Sequence, residues 1–392
     1  MRPRRLGHGH RDVGDGRAGE APRGGDPMRR LILDKVASVT LNGRIGHDVR
    51  IGRELPCREG DIVAVRVVSE KTTYSRMELV SGRFSDLQPG DVIAGCLGHR
   101  RALRGYAGRL PSSLRPGDRI HILNLGGVLG DCQAWSPDVG PPRECEVLGQ
   151  VLHFPYLGQR RGIPATIAHG QSRLDEAVAT QGVPVVAVAG TAMSAGKTFA
   201  CTALIQALAR RRLVVHAAKA TGVSLRRDIH AMSDAGAREV AIFTDLGVVT
   251  TTPKNAPGLA RTLLNRLAAP QPDVIVCELG DGLLGPYGVD AILSSPDLRA
   301  AFGAVVLAAN DPVAAWGGVR RLEEEHGIAA TVVTGPATDN EAGTSVITSL
   351  CDVPCANART DRTQLADVIM GALGIGAPRT QHGLQEEEDE AW

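Results

Sequence analysis

The chain reads as a mixed α/β protein: a mostly parallel, doubly wound sheet in its C-terminal half, preceded by a small β-barrel or sandwich domain. Three observations predict this. From Val183 to about Leu373, apolar strand-like runs alternate with stretches of helical periodicity. From Met28 to about His153, short β-branched runs each follow a turn rich in Pro, Gly and Asp. Between these regions, a glycine loop at residues 190–198 stands where an apolar strand hands over to a helix.

Bulk composition bounds the rest. At 392 residues the chain has room for two or three domains, each with its own core. Hydrophobic residues make up 43%, aromatics only 3%, and the net charge is +1. That balance fits a soluble globular protein and argues against a nucleic-acid surface of basic grooves and stacking rings. No apolar run is long enough to span a bilayer as a helix, so no membrane partner is expected. The eight cysteines show no CxxC pair and no Cys/His zinc spacing, and read as reduced thiols in a cytoplasm. Cys201 and Cys277 fall in an expected helix and strand, as small hydrophobes.

In chain order, residues 1–27 are rich in Arg, Gly and Asp without apolar periodicity and read as a disordered tail. Met28 then opens a regular strand pattern, and a true start at Met28 is a hypothesis that N-terminal sequencing of native protein would test. Residues 28–155 form the β-rich domain. Within it Arg58-Glu59-Gly60-Asp61, Gln88-Pro89-Gly90-Asp91 and Arg115-Pro116-Gly117-Asp118 each precede a strand. Pro and Gly set such turns and Asp caps them. Residues 156–182 are a linker, irregular from Pro155 to Gln181 and holding one helix. Residues 183–375 form the α/β domain, and 376–392 a disordered tail whose Glu386–Glu390 acids are simply solvated.

The candidate chemistry gathers at strand ends. Val183 to Ala189 leads into Gly190-Thr191-Ala192-Met193-Ser194-Ala195-Gly196-Lys197-Thr198, and Phe199 to Leu213 follows with helical spacing. This arrangement aims backbone N–H groups and a helix dipole at an anion, as in a P-loop nucleotide-binding domain. Gly190, Thr191, Ser194, Ala195 and Gly196 would cradle phosphates. Lys197 would neutralise the outer ones, and the Thr198 hydroxyl would hold Mg²⁺. The usual first glycine position is Thr191, with Gly190 one residue earlier. Only five lysines occur among 44 basic residues, and two of them are Lys197 and Lys219. Lys219 ends the next apolar strand and would face the same crevice as an anion or substrate contact. Asp228 would complete a Mg²⁺ shell or, equally, serve as a first-turn helix residue favoured by the dipole. The strand 273–278 ends in Glu278, the first choice for a second Mg²⁺ anchor, with Asp281 second. Asn310-Asp311-Pro312 caps a helix. Asn340 is a candidate for reading a nucleobase amide edge. His216 and His230 take packing or surface roles.

With these residues assembled, the C-terminal half resembles the dethiobiotin synthetase-like ATPases, which include cobyrinic acid a,c-diamide and cobyric acid synthases. The family loop G-T-x-x-x-x-G-K-[ST] matches Gly190, Thr191, Gly196, Lys197 and Thr198. Its K-P-V-x-x-G element looks like Lys219 to Gly222, its S-D-A-L-A-L element like Arg227 to Met232, and its E-G-A-G-G element like Glu278 to Gly282. The resemblance covers residues 185 to about 341. It implies a substrate or phosphate contact for Lys219 and Mg²⁺ ligation by Asp228 and Glu278. The chain departs from it at Ala192, Met193 and Ser194, where dethiobiotin synthetase carries acids, and at Leu279. The β domain has no counterpart there, so dethiobiotin is not inferred as the product.

The expectation is an ATP- and Mg²⁺-dependent ligase of biosynthesis. It would phosphorylate a carboxylate or carbamate on a small molecule for C–N bond formation, with Lys197 and Lys219 offsetting charge on the transferring oxygens. Two alternatives are a nucleotide-switched regulatory or maturation ATPase and a small-molecule kinase. ATP is preferred to GTP because no Asn-Lys-x-Asp motif appears. The partner expected is a small, acidic substrate, and a homodimer is allowed. The loop His99 to Tyr106 could grip such a substrate through Arg101 and Arg104, although a solvated charged loop is the stronger reading.

Overall fold

The computed structural model describes residues 28–156, 161–169 and 173–376. The two expected tails, apart from Gly376 of the second, lie outside those residues.

The three Gly-Asp turns form as their composition dictates. Gly60, Gly90 and Gly117 all take positive φ (88°, 95° and 98°). In each turn the following aspartate accepts a hydrogen bond from the backbone three residues back: Asp61 from Arg58, Asp91 from Gln88, Asp118 from Arg115. Strands Ile62–Val67, Val92–Leu97 and Arg119–Ile122 leave these turns. They belong to an eleven-stranded sheet, mostly antiparallel. Part of it closes on itself. Arg143–His153 pairs with Ile62–Val67, which pairs with Val92–Leu97; that strand runs parallel to Val128–Trp135, which returns through Arg119–Ile122 to Arg143–His153. Alternate strand residues meet inside, including Val63, Val65, Ile93, Leu129, Cys145 and Val147, all fully buried.

The connector departs from expectation in two ways. It shows no helix among its described residues, and part of it is sheet rather than irregular chain. Ile163–Pro164 pairs with the end of Arg143–His153, and Ala165 and Ile167 bury themselves in the first core. The reason is local: Gly60 and Ile62 hydrogen-bond with Ile167 and Ala165, so the chain is held as sheet edge rather than coil.

The second sheet has six strands, every pair parallel. Its spatial order is Glu239–Ile242, Val215–Lys219, Val274–Glu278, Val185–Gly190, Phe302–Ala308 and Val332–Thr334. The central strands are apolar along their length because helices cover both faces. Helix α1 (Lys197–Arg210), α2 (Arg227–Asp234) and α8 (Arg362–Leu373) pack together on one face. On the other lie α3 (Ala256–Ala268), α4 (Val289–Leu293), α5 (Pro296–Ala301) and α6 (Pro312–His326), the last packed on α7 (Glu341–Cys351). Asp311 caps α6 through the Ala314 amide, Pro312 follows at N1, and Gly327 stops the helix at φ 63°. No described helix is long and apolar enough to cross a membrane. All eight cysteines are free thiols.

The two sheets are joined by buried contacts. Val249, from the parallel-sheet half, sits in the core of the antiparallel half. The Asn124 amide donates to the Ser224 carbonyl (2.7 Å), the Thr250 hydroxyl to the His99 carbonyl (2.5 Å), and the Arg226 amide to Glu78 (2.8 Å).

Candidate functional site

The site is built where the strand Val185–Gly190 ends. Ser194 and Gly196 both take left-handed backbone, at φ 67° and 96°, and so turn the loop back toward the start of α1. A non-glycine residue at such an angle is uncommon. No side chain caps α1, so its first amides stay available to an anion. The Lys197 side chain folds over Gly190: a Cβ there would come within 2.7 Å of the lysine Cγ. Glycine at 190 therefore serves close approach. In this arrangement the Lys197 ammonium donates to the Ala192 carbonyl at 2.8 Å.

Neighbouring strands deliver the remaining groups. Lys219 and Glu278 are register partners at the carboxyl ends of adjacent strands. The Thr198 hydroxyl donates to Glu278 Oε1 at 3.1 Å, whereas Glu278 Oε2 is buried without a partner. Lys219 forms an ion pair with Asp228 in the first turn of α2, and Arg227 reaches the same carboxylate at 3.5 Å. Burial pushes the Lys197 ammonium down and the Glu278 carboxyl up. For the Lys219–Asp228 pair burial opposes both charges, but mutual attraction wins, raising the lysine and lowering the acid. Asp281, at φ 74°, has both oxygens buried without partners, and burial raises its carboxyl too.

Met193, Ser194, Gly196, Lys197, Thr198, Lys219, Asp228, Glu278 and Asp281 share one cavity of ≈ 540 Å³. Gly190, Thr191 and Ala195 shape the loop from behind without lining it. Asn340, expected to read a base edge, stands apart: it is exposed, does not line this cavity, and its side chain caps α7 by accepting from the Gly343 amide. His216 is a core residue bonded to the Leu267 carbonyl. Arg104 pairs with Asp138 at the surface, and Arg101 is exposed.

The opposite wall comes from the antiparallel half: Tyr74, Arg100, Ala102, Asn124 and Leu125. Of these only Arg100 and Ala102 lie in a stretch that sequence patterning singles out, and there the emphasis falls on Arg101 and Arg104. Alternation along the strand Arg100–Arg101 puts the first arginine in and the second out.

No protein-family model and no curated protein matches the chain. Among solved structures, it is similar over 49% of its length to the hydrogenase maturation factor HypB from Archaeoglobus fulgidus, at 14% identity, 91% of that chain and TM-score 0.33. A DUF1611 family protein from Anabaena variabilis matches over 52% of this chain and 63% of its own, at 15% identity and TM-score 0.36. The signal recognition particle 54 kDa protein from Aeropyrum pernix, solved in complex with GDP, matches over 53% of this chain and half of its own, at 16% identity and TM-score 0.34. These likenesses are distant, and the site's own residues carry the functional reading.

Proposed function

We propose that the protein binds a nucleoside triphosphate with Mg²⁺ on the 190–198 loop and transfers or hydrolyses its terminal phosphoryl group. One observation carries this: an uncapped helix start, an inward-folded lysine and a Thr–carboxylate pair converge on one cavity. The residues suit a hard cation. Thr198 and Glu278 would hold Mg²⁺, and the orphaned Glu278 Oε2 is an unused ligand atom. Asp228 is a further donor once released from Lys219. When bound there, Mg²⁺ would supply charge neutralisation to the phosphates. The chain's own part is positioning: loop amides fix the phosphates, while Lys197 and Lys219 offset charge as it develops on the transferring oxygens.

ATP remains the preferred nucleotide, because the chain lacks an Asn-Lys-x-Asp guanine motif. Within this reading, transfer to a carboxylate or carbamate on a small molecule is supported by the cavity's second wall, which a simple phosphatase does not require. A nucleotide-driven switch is supported by a different contact. The Arg226 amide, immediately before α2, is held by Glu78 of the antiparallel half, so a shift of Asp228 would be felt there. Calorimetry with Mg²⁺ and ATP or GTP tests the site, and heat from neither nucleotide would overturn it. Product analysis separates the readings: a phosphorylated or ligated metabolite means transfer, whereas turnover stimulated only by a protein partner means a switch.

A further inference from the structure

Arg100 is 7% exposed, lines the cavity, and has no carboxylate within ion-pair distance among the described residues. Its guanidinium rests against the rings of Tyr74 and Tyr106, and one terminal nitrogen donates to the Leu123 carbonyl. A buried guanidinium is costly where its N–H groups lack acceptors, and among the described residues the Leu123 carbonyl is the one acceptor the Arg100 side chain meets. Two other arginines with little exposed side chain have partners for their terminal nitrogens: Arg143 bonds the Ser69 and Lys71 carbonyls, and Arg226 pairs with Asp245.

We propose that the cavity wall opposite the phosphate loop is a second ligand site, for a small molecule that presents a carboxylate to Arg100 and a flat apolar part to Tyr74 and Leu125. This deepens the proposed function and rests on it for the identity of the neighbouring ligand. A guanidinium recognises a carboxylate through two parallel N–H···O bonds. A phosphate dianion would call for a second cation, and the residues of this wall supply none: Tyr74, Ala102, Asn124 and Leu125 are neutral. Tyr287 adds a hydroxyl and ring from the parallel-sheet half. It anchors the loop by accepting the Arg101 amide at 2.8 Å, which fixes the backbone beside Arg100. Asp281 lines the same cavity with both oxygens buried and unpartnered, and the charges of Lys197 and Arg100 both act on it.

The test is calorimetric titration of the full-length protein, loaded with Mg²⁺ and a non-hydrolysable ATP analogue, with benzoate, benzamide and phenyl phosphate. Loading fills the phosphate loop, so a carboxylate cannot bind there instead. Benzoate should bind at least about tenfold more tightly than its neutral isostere benzamide, the discrimination expected of charge-assisted hydrogen bonds. Phenyl phosphate should bind no better than benzoate. In Arg100→Met the preference for benzoate over benzamide should vanish. If that variant does not fold, Ala102→Tyr narrows the same wall from a half-exposed loop position and should weaken benzoate to the same degree. Equal binding of benzoate and benzamide, no benzoate heat, tighter phenyl phosphate, or benzoate binding that survives the substitution would each overturn the inference. Loading itself is the separate control: if the nucleotide analogue fails to bind, the fault lies with the phosphate site.

Discussion

Lys197 is 6% exposed and its ammonium rests on the Ala192 carbonyl of its own loop. In the proposed reading, incoming phosphate oxygens would exchange this neutral acceptor for charged ones. Lys197→Ala should lower nucleotide turnover by about a hundredfold or more, the scale seen when a preorganised charge donor is lost. Phosphate release measured beside a thermal melt checks this; unchanged turnover in a folded variant would remove the lysine from the chemistry. Lys197 and Thr198 were legible in the sequence because they are consecutive in one loop. Arg100 was not, because its importance depends on a cavity wall more than ninety residues away along the chain. Asn340, expected at a base edge, has its Oδ1 taken by the Gly343 amide, a contact that depends on where α7 starts.

At the scale of elements, the 190–198 loop is braced by the loop after Val274–Glu278. A Cβ at Gly282 would stand 2.9 Å from Ala192 Cα and from the Thr191 carbonyl, both backbone atoms. Gly282→Ala must therefore displace the loop, and turnover should fall by about a hundredfold, as expected for a misplacement near 1 Å. Gly317, mid-helix in α6 with nothing within 4 Å, is the contrast. Gly317→Ala should raise stability by about 0.5–1 kcal/mol with turnover unaltered. Helix α5 is tied to α3 by a two-pronged ion pair, Arg261 to Asp297 at 2.7 and 2.8 Å. The Arg261 hydrogen bonds, outweighing partial burial, hold the Asp297 carboxyl down to about 2. A lowered acid stabilises the fold above its unfolded value of about 3.9 and loses that contribution as pH falls toward 2. Because the carboxylate is about one-third exposed, the effect is discounted to about 1 kcal/mol. Asp297→Asn should lower Tm at pH 7, and the gap from the parent should close as melts are taken toward pH 2.

For the whole molecule, the joint between the two sheets bears on both stability and function. Val249 fills the core of the antiparallel half, and hydrogen bonds at Asn124, Glu78 and Thr250 cross the joint while buried or half-buried. Breaking it would leave buried polar groups unpaired on both sides. Calorimetry should accordingly show one cooperative unfolding transition, and Val249→Asp should lower it as a unit. Two separate transitions, with only one moved by the substitution, would show that the halves are energetically independent. The cavity walls would then be free to move apart.

Local patterning alone determined the alternation of strands and helices after Val183, the three Gly-Asp turns, and the loop carrying Lys197 and Thr198. Those features depend on residues within a few positions of one another, where backbone preference and periodicity act directly. Tertiary structure decided the closure of the first sheet, the anchoring of the 163–167 segment, and the meeting of Arg100 with Lys197 across one cavity. Each of these rests on contacts between distant segments, which local periodicity does not encode.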